Sequence, residues 1–452
     1  MSASDRGALK PLTSVEVCAG AGGQAIGLHE AGFRHLALVE IDKHACATLR
    51  QNVQSDPEWA GCEVLEEDLK NFDPWRTMAA LREKQGDEEK PARALEEREL
   101  DLLAGGVPCP PFSVAGHRLG RDDERDLFPR MLEIVGQLKP RAVLIENVKG
   151  ILHEKFEEYR SWIVDQLNDH GYRYCGWRLL ESRYFDVPQL RPRAILIAIR
   201  KDVMDADAKF PWPERVSAGR DTLFDVLATS MEERRRVLEE RFPSRRSEIN
   251  KSYEAWKEAA RESGMEVAPT LVGGSRKHGG ADLGPNRAKK SWAAFGVNAM
   301  GVANEAQETI DLDRDFLRAE GPMLTVSQAA QIQSFPAEWK FAGGKTAQYR
   351  QVGNAFPSPV ARALGKAIAS VLQPERAHEL LADLEIEYVA VDQDRPKFVQ
   401  TVIGEESATA ASVAGASSNV VPTDEAPTEA APMSDVSAPA SDCGEDLVGA
   451  GV

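Results

Sequence analysis

Cys109 is the side chain of this sequence best suited to covalent chemistry. It follows two glycines and stands between Pro108 and the pair Pro110-Pro111. Because proline fixes φ and removes a backbone N–H, this loop cannot become helix and holds the sulfur in a nearly set direction. A thiolate is a strong nucleophile once it forms. The loop therefore predicts a nucleophilic cysteine, with a structural thiol in a proline-rich turn as the alternative.

A carboxyl group and an amide, Glu146 and Asn147, follow the apolar run at 142–145. Four apolar residues in a row favour a buried strand, and open α/β sheets bind ligands at the carboxyl edge of such strands. The run 102–104, just before the Cys109 loop, predicts another buried strand. We therefore expect Glu146 and Cys109 to face one crevice; a solvated carboxylate at a strand end is the alternative.

Three polar side chains at alternate positions, Gln189, Arg191 and Arg193, lead into an apolar strand at 194–199. Alternate side chains of an extended segment project to the same side. They predict a polar clamp against the carboxylate site, with a solvent-facing segment as the alternative.

A glycine-rich turn at 18–25 connects the β-like run 15–17 to a helical pattern that continues to Ala31. Such a turn lets a ligand lie against bare backbone at a helix N-terminus. The spacing Gly20-x-Gly22-x-x-Ala25 also satisfies the dinucleotide fingerprint. A nicotinamide-dependent enzyme is therefore an alternative at this point.

Two further acidic side chains follow short β-like runs. Glu40 ends the run at 36–39 and lies twenty residues past Gly20, where nucleotide-binding folds place a carboxylate for ribose hydroxyls. Asp68 follows the run at 62–65, and we expect it at the same edge of the sheet.

Helical periodicity predicts the elements that hold these residues. The predicted helices cover 127–138, 155–169, 231–242, 327–333 and 358–372, and the charged stretch 82–99 predicts a solvated insertion with a short helix. Residues 268–290 are glycine-rich and carry five Arg or Lys between 276 and 290. Such a segment suits contacts with phosphates and base edges, with an ordinary loop as the alternative.

Composition favours a globular protein with a separate acidic tail. Hydrophobic residues make up 42% of the 452 residues, and the N-terminus lacks the pattern of a signal peptide. No apolar run approaches the length of a membrane span, so we expect a cytoplasmic protein. The six cysteines are scattered without zinc spacing, so we expect neither disulfides nor a metal. Residues 401–452 carry nine Asp or Glu and no Lys or Arg, and the stretch 404–452 is predicted to be disordered.

The motifs, taken in order, resemble the DNA (cytosine-5) methyltransferases. The resemblance runs from about Thr13 to about Ser370. Its seven motifs are the glycine turn 18–23, Glu40, Asp68, Pro108-Cys109, Glu146-Asn147-Val148, Gln189-x-Arg191-x-Arg193 and Gly353-Asn354-Ala355. Cys18 stands where the family usually has Phe, and Ile41 where it often has an aromatic residue.

The resemblance implies a mechanism for the residues already named. Cys109 would add to C6 of cytosine, Glu146 would stabilise or protonate N3, and Arg193 would hold the base. The base and its loop would also be held by Pro108, Ser113, Asn147, Gln189 and Arg191. The target base must leave the duplex, because C6 cannot be reached inside it.

The resemblance also implies S-adenosylmethionine as the cofactor, without a metal. Glu40 would bind the ribose hydroxyls, Asp68 the adenine amine, and Asn354 would close the pocket from the far end of the chain. The full set implied to contact the cofactor is Cys18, Ala19, Gly20, Gly22, Gly23, Glu40, Ile41, Asp68, Leu69, Asn354 and Ala355.

The implied fold is α/β, a Rossmann-like methyltransferase sheet with a smaller inserted target-recognition domain. The implied division of the chain is 1–12 flexible N-terminus, 13–204 catalytic, 205–320 target recognition, 321–375 catalytic closing segment, 376–403 extension and 404–452 acidic tail. The implied partners are double-stranded DNA and, in a restriction-modification system, a cognate restriction endonuclease. Alternatives are an orphan methylase, tRNA methylation, since the Glu-Asn-Val-Lys-Gly form at 146–150 also occurs in that branch, and a non-catalytic DNA binder.

Overall fold

A seven-stranded mixed sheet forms the centre of the protein in a computed structural model that describes residues 11–84, 100–108, 126–217, 221–273 and 281–390. Its strands are β1 (Leu12–Val17), β2 (Phe33–Glu40), β3 (Glu63–Glu66), β4 (Leu102–Gly105), β5 (Ala142–Val148), β6 (Tyr172–Glu181) and β7 (Pro192–Arg200). They lie in the order β3-β2-β1-β4-β5-β7-β6. The first five run parallel, and β7 is antiparallel to both neighbours. The carboxyl ends of the five parallel strands therefore meet at one edge.

Helices cover both faces of this sheet and continue beyond it. In chain order they are α1 (Gly23–Glu30), α2 (Lys43–Val53), α3 (Pro74–Lys84), α4 (Phe128–Leu138), α5 (Glu157–Asp169), α6 (Leu223–Arg241), α7 (Arg246–Glu262), α8 (Asn286–Ala294), α9 (Leu312–Asp315), α10 (Val326–Ile332), α11 (Lys345–Asn354), α12 (Ser358–Leu372) and α13 (Ala377–Leu380).

Alternate side chains of the central strands feed two separate cores, as the pleat requires. Leu144 of β5 packs in a core with α1 and α12, whereas Val143 and Ile145 pack on the opposite face with α4 and α5. Because both faces are covered, the strand is apolar without alternation. Gly27 lets α12 lie directly on α1: a Cβ there would come within 2.1 Å of the Ser358 carbonyl oxygen. The closing segment of the chain is thereby held against the glycine turn.

A third core joins the helices between α6 and α11 to the first half of the sheet. It includes Trp256 and Trp292 together with Ala21 and Leu49. Buried Arg234 donates to the Met323 carbonyl (2.6 Å) and the Asp315 carbonyl (3.0 Å). Its buried charge is thus satisfied by backbone carbonyl oxygens.

A small antiparallel pair completes the described chain. Strand β8 (Lys209–Val216) pairs with β9 (Leu384–Ala390) and packs on the α12 side of the sheet through Phe210 and Trp212. This pair connects the start of the predicted recognition segment to the predicted C-terminal extension. All the described residues pack as one unit. The domain boundaries stay a prediction, and residues 404–452 lie outside the described residues.

The predicted strands at 15–17, 36–39, 62–65, 102–104, 142–145 and 194–199 all form, and the helix over 358–372 has its predicted bounds. The helix predicted from 231 begins instead at Leu223, where Thr222 and Asp225 form a capping box. The predicted insertion at 82–99 overlaps the end of α3, and 85–99 lies outside the described residues.

Several elements were missed by the sequence interpretation, among them β6, α7 and α8. Strand β6 mixes charged and apolar residues and is interrupted by a register shift at Gly176, so it shows no clean alternation. Helix α7 does carry a helical signal, because Ile249, Tyr253, Trp256 and Ala260 recur at helical spacing. Helix α8 covers Arg287, Lys289 and Lys290, part of the stretch interpreted as a flexible segment for phosphate and base contacts, with an ordinary loop as the alternative.

Two features are absent from the part of the chain that the structure describes. No helix there carries an apolar stretch long enough to cross a bilayer. Within the same ranges, no three His, Cys, Asp or Glu side chains are grouped as metal ligands would be.

Candidate active site

A cavity of about 640 Å³ opens at the carboxyl edge of β1, β2, β4 and β5. It brings together residues from the start, middle and end of the chain. The predicted site residues that line it are Cys18, Ala19, Gly20, Gly23, Glu40, Ile41, Asp68, Leu69, Pro108, Glu146, Asn354 and Ala355. A volume of this size accommodates a nucleoside-sized ligand.

The glycine turn forms one wall of the cavity. Gly20 and Gly22 have φ of 56° and 93°, the left-handed region that glycine adopts without steric cost. A Cβ on Gly22 would come within 2.9 Å of Leu49 and Trp339, so this glycine serves packing and does not line the cavity. The Trp339 indole also donates to the Ala21 carbonyl (3.0 Å). Trp339 therefore supports the turn, a role that the motifs did not indicate.

Glu40 is fixed at the end of β2 by backbone donors alone. Its Oε2 accepts from the Gly20 N–H (2.8 Å), and its Oε1 accepts from the N–H groups of Ile41 (2.9 Å) and Asp42 (2.8 Å). Carboxylate oxygens have further lone pairs, so both can still accept from a ligand hydroxyl. Ile41 beside it is 64% exposed, an apolar surface at the rim of the cavity.

Glu16 is a buried carboxyl group that the motifs passed over. It is 1% exposed, it lines the cavity, and its Oε2 has no hydrogen-bond partner. Burial, together with the nearby Glu40 charge, raises the pKa of Glu16 well above its ordinary value of 4.5. A charged residue inside the apolar run Val15-Glu16-Val17 is the sequence signal that could have found it.

Cys18 lies next to these acids with φ of 53°. Burial, followed by the charges of Glu40, Asp68 and Glu16, raises the pKa of its thiol to about 12. Cys18 thus stays a neutral thiol at physiological pH and is unsuited to act as a nucleophile.

Glu146 and Arg193 form an ion pair at the other end of the cavity. Arg193 Nε lies 2.7 Å from Glu146 Oε1, and the two side chains are only 12% and 15% exposed. Burial raises the pKa of Glu146, while the charges of Arg193 and Arg191 oppose that shift. Gly106 lies against this carboxylate, since a Cβ there would be 3.0 Å from Oε2. The pair is therefore pre-positioned before any substrate binds.

Asn147 holds the backbone that leads to Cys109. Its amide donates to the Val107 carbonyl (2.9 Å), and its oxygen accepts from the Val148 N–H (2.9 Å). The Leu127 N–H donates to the Pro108 carbonyl (3.4 Å), so the two described ends that flank residues 109–125 lie together beside the cavity. Cys109 and Ser113 themselves lie outside the described residues.

Gln189 and Arg191 are fully buried and contact protein. The Arg191 guanidinium donates to the carbonyls of Leu271 (2.7 Å) and Gly353 (2.8 Å). Gln189 accepts from the Leu271 N–H (2.8 Å). Of the three side chains predicted to form one clamp, Arg193 alone pairs with Glu146; the other two join chain segments that converge behind the cavity.

Gln333, which no motif singled out, extends this network to the cavity wall. The Gln189 amide donates to the Gln333 side-chain oxygen, and the Gln333 amide donates to the Ala355 carbonyl. A buried chain of amides thus connects the segment before β7 to the closing segment, and each bond in it avoids the cost of an unpaired buried group.

One face of α11 lines the cavity through Ala347, Arg350, Gln351 and Asn354, which follow helical spacing. Gln351 is satisfied by protein, because its oxygen accepts from the Thr48 hydroxyl (2.6 Å) and its amide donates to the Ala342 carbonyl (2.9 Å). Gly273 packs against Asn354 so closely that a Cβ on it would lie 2.1 Å from the amide oxygen.

Comparisons with known proteins gave a matching family model, similar relatives and similar solved structures. The family model of the C-5 cytosine-specific DNA methylases matches residues 12–370. The Type II methyltransferase M.NaeI of Lentzea aerocolonigenes is 43% identical over 81% of this chain and 77% of its own length. M.NgoMIV of Neisseria gonorrhoeae is 39% identical over 80% of this chain and 99% of its own. Among solved structures, a DNMT2 mutant of Spodoptera frugiperda covers 79% of this chain and 99% of its own, at 17% identity and a TM-score of 0.49.

Proposed function

This chain belongs to the C-5 cytosine-specific DNA methylase family, and from that premise we propose that it transfers a methyl group from S-adenosylmethionine to C5 of a cytosine flipped out of duplex DNA. The observation that carries the proposal is the single cavity that Glu40, Asp68, Pro108 and Glu146 all line. Methyl transfer requires donor and acceptor to meet in one place, and this cavity offers both sets of groups together.

The residues of the cavity fit this cofactor. S-adenosylmethionine carries a net positive charge, and it supplies an electrophilic methyl group on its sulfonium. Six acidic side chains line the cavity, and one of them, Glu16, is buried with an unpartnered oxygen. Glu40 is held at the end of β2 with lone pairs available for ribose hydroxyls. We propose Asp68 for the adenine amine and the backbone of the turn at 18–23 for the methionine moiety.

We propose that Cys109 is the nucleophile of the reaction. Its thiolate adds to C6 of cytosine and forms a C–S bond, while the electron pair of the C5–C6 double bond moves into the ring toward N3. Glu146 in its protonated form donates to N3 and stabilises that charge. C5 then carries enough electron density to take the methyl group, which would leave S-adenosylhomocysteine as the second product. Loss of the C5 proton to a base restores the double bond and expels the Cys109 thiolate.

Arg193 positions the Glu146 carboxyl group for this reaction. Its guanidinium holds the Glu146 carboxyl group at 2.7 Å, and two arginine charges limit how far burial raises the pKa of that group. Asn147 holds the Val107 carbonyl, so it anchors the backbone before Pro108-Cys109. Gln189, Arg191 and Gln333 keep the converging segments in register behind the cavity.

Methyl transfer from radiolabelled S-adenosylmethionine to duplex DNA tests the proposal. Cys109→Ser should lower the rate by roughly 10³-fold or more, because the nucleophile is lost. Wild type should also form a covalent adduct with DNA that contains 5-fluorocytosine, since fluorine at C5 blocks the proton loss that releases the thiol. Full activity in Cys109→Ser would contradict the mechanism, and methylation of tRNA in place of DNA would contradict the substrate.

We propose that the chain acts in a Type II restriction-modification system, as the names of its relatives suggest for them. Bisulfite sequencing of DNA from cells that express this chain would give the methylated sequence. A matching endonuclease should then cut unmodified DNA at that sequence and spare the modified DNA; methylation at no consistent sequence would contradict this role.

A further inference from the structure

We propose that Arg350 binds the carboxylate of the cofactor's amino-acid moiety, an inference that rests on the proposed function. Arg350 lies on the face of α11 that lines the cavity, one turn before Asn354. It belongs to none of the motifs that carried the family resemblance.

Arg350 has no partner among the residues that the structure describes. Its Nε is shielded from solvent and has no hydrogen-bond partner. Every other polar side chain of this face that lies as deep is satisfied: Gln351 bonds to Thr48 and Ala342. A guanidinium with a shielded and unsatisfied N–H is expected to receive an acceptor from a ligand, because leaving it unpaired costs free energy.

The charges around the cavity single out this side chain. The acidic residues that line it are Glu16, Glu40, Asp42, Glu67, Asp68 and Glu146, and its basic lining residues are Lys70 and Arg350. An anionic ligand group would be repelled from most of such a cavity. Lys70 is exposed, whereas Arg350 is partly buried. A bound carboxylate would therefore be stabilised more by Arg350 than by Lys70.

The chemistry of the two groups matches. A guanidinium presents parallel N–H donors that pair with both oxygens of a carboxylate, and such a pair is stronger than a neutral hydrogen bond. The amino-acid moiety also carries an ammonium group, for which buried Glu16 offers an unpartnered carboxyl oxygen. The cavity thus holds an unsatisfied guanidinium and an unsatisfied carboxyl group, one for each charged end of the amino-acid moiety.

Calorimetric titration of the full chain without DNA tests the proposal. The two ligands are S-adenosylhomocysteine and its decarboxylated analogue, which differ only in the carboxylate. Arg350→Gln should weaken S-adenosylhomocysteine about 10- to 100-fold, the range for a charged hydrogen-bonded pair, and leave the affinity for the analogue unchanged. Arg350→Lys, which keeps the charge and loses the paired donors, should fall between. Arg376→Gln, which removes an arginine that pairs with Glu379 and does not line the cavity, should behave as wild type.

Four results would overturn the inference. Equal weakening of both ligands by Arg350→Gln would mean that the side chain supports the fold. No weakening of either, together with a salt dependence of DNA binding that falls by about one unit, would assign Arg350 to a DNA phosphate. Failure of wild type to bind S-adenosylhomocysteine at all would remove the proposed function and this inference with it. Binding by wild type with no effect of Arg350→Gln would remove only the inference.

Discussion

The two ends of the cavity differ in whether the protein pairs their polar groups. At the β5–β7 end, Glu146 is paired with Arg193, and Asn147 bonds to backbone on both sides. At the β1–α11 end, Glu16 and Arg350 each keep a shielded atom without a partner among the described residues. The protein itself pairs these groups at the β5–β7 end, whereas at the β1–α11 end a ligand would have to supply the missing partners.

This difference follows from what each end has to do. A group that acts in a transition state works best when its orientation is fixed before the substrate arrives. A group that binds a ligand gains more when the ligand supplies its missing partner, because that partner relieves an existing penalty. We therefore expect substitutions at the first end to change kcat and those at the second to change ligand affinity.

The largest effect is expected from Glu146→Gln. The variant cannot supply a proton to N3, so kcat should fall about 10²- to 10⁴-fold, the range for loss of a general acid. Because burial raises the pKa of Glu146, wild type should keep the protonated form above pH 4.5 and lose activity as the pH rises through the raised value. Single-turnover methyl transfer as a function of pH measures both effects.

Arg193→Met tests the direction in which Arg193 shifts the pKa of Glu146. Removing the arginine charge that lowers the pKa of Glu146 should move the alkaline loss of activity to higher pH. Unchanged affinity for S-adenosylhomocysteine in Glu146→Gln would support the contrast between the two ends; a weakened affinity with normal kcat would break it.

A smaller effect, on ligand affinity and not on kcat, is expected from Glu16→Gln. Affinity for S-adenosylhomocysteine should fall about 10-fold, since a charged hydrogen bond to the ammonium is lost, while kcat at saturation stays close to wild type. Calorimetry and saturation kinetics separate the two. A large loss of kcat with unchanged affinity would mean that Glu16, like Glu146, acts in the reaction and not in ligand binding.

The same substitution should stabilise the ligand-free protein. Folding raises the pKa of Glu16 above its ordinary value of 4.5. The free energy of unfolding of wild type is therefore highest below pH 4.5, and it declines as the pH rises toward the pKa of Glu16 in the folded protein. Glu16→Gln lacks this decline because it has no proton to lose. Thermal unfolding between pH 5 and 8 should therefore give a difference in Tm that grows with pH; a constant difference would contradict the buried ionisation.

The smallest effect is expected from Gly273→Ala. A Cβ at this position would meet the Asn354 amide oxygen at 2.1 Å, and a short side chain can rotate away from it. The fold should survive, and affinity for S-adenosylhomocysteine should weaken by a few-fold, about 1 kcal/mol. Gly344→Ala, at the start of α11 with open space around the added carbon, serves as the control. An unfolded Gly273→Ala protein would contradict the expectation.

The central strands and the order of the motifs could be predicted from local signals. Apolar runs marked β1, β2, β4 and β5, and the carboxylates that follow them indicated the edge of the sheet where Glu40 and Glu146 lie. The sequence interpretation assigned Arg191 and Gln189 to the base and its loop. In the structure both are fully buried against Leu271 and the closing segment, and their direct role toward the base stays a prediction.

Sequence by itself determined the α/β sheet, the glycine turn and the family, because these depend on spacing within a few tens of residues. Tertiary structure alone decided which side chains end up paired. Arg191 meets Gly353 across 162 residues, and Thr48 meets Gln351 across 303. No periodicity records such contacts, since they arise only when α12 packs on α1 and carries the end of α11 to the cavity. That packing is also what leaves Arg350 and Glu16 facing the same space without partners of their own.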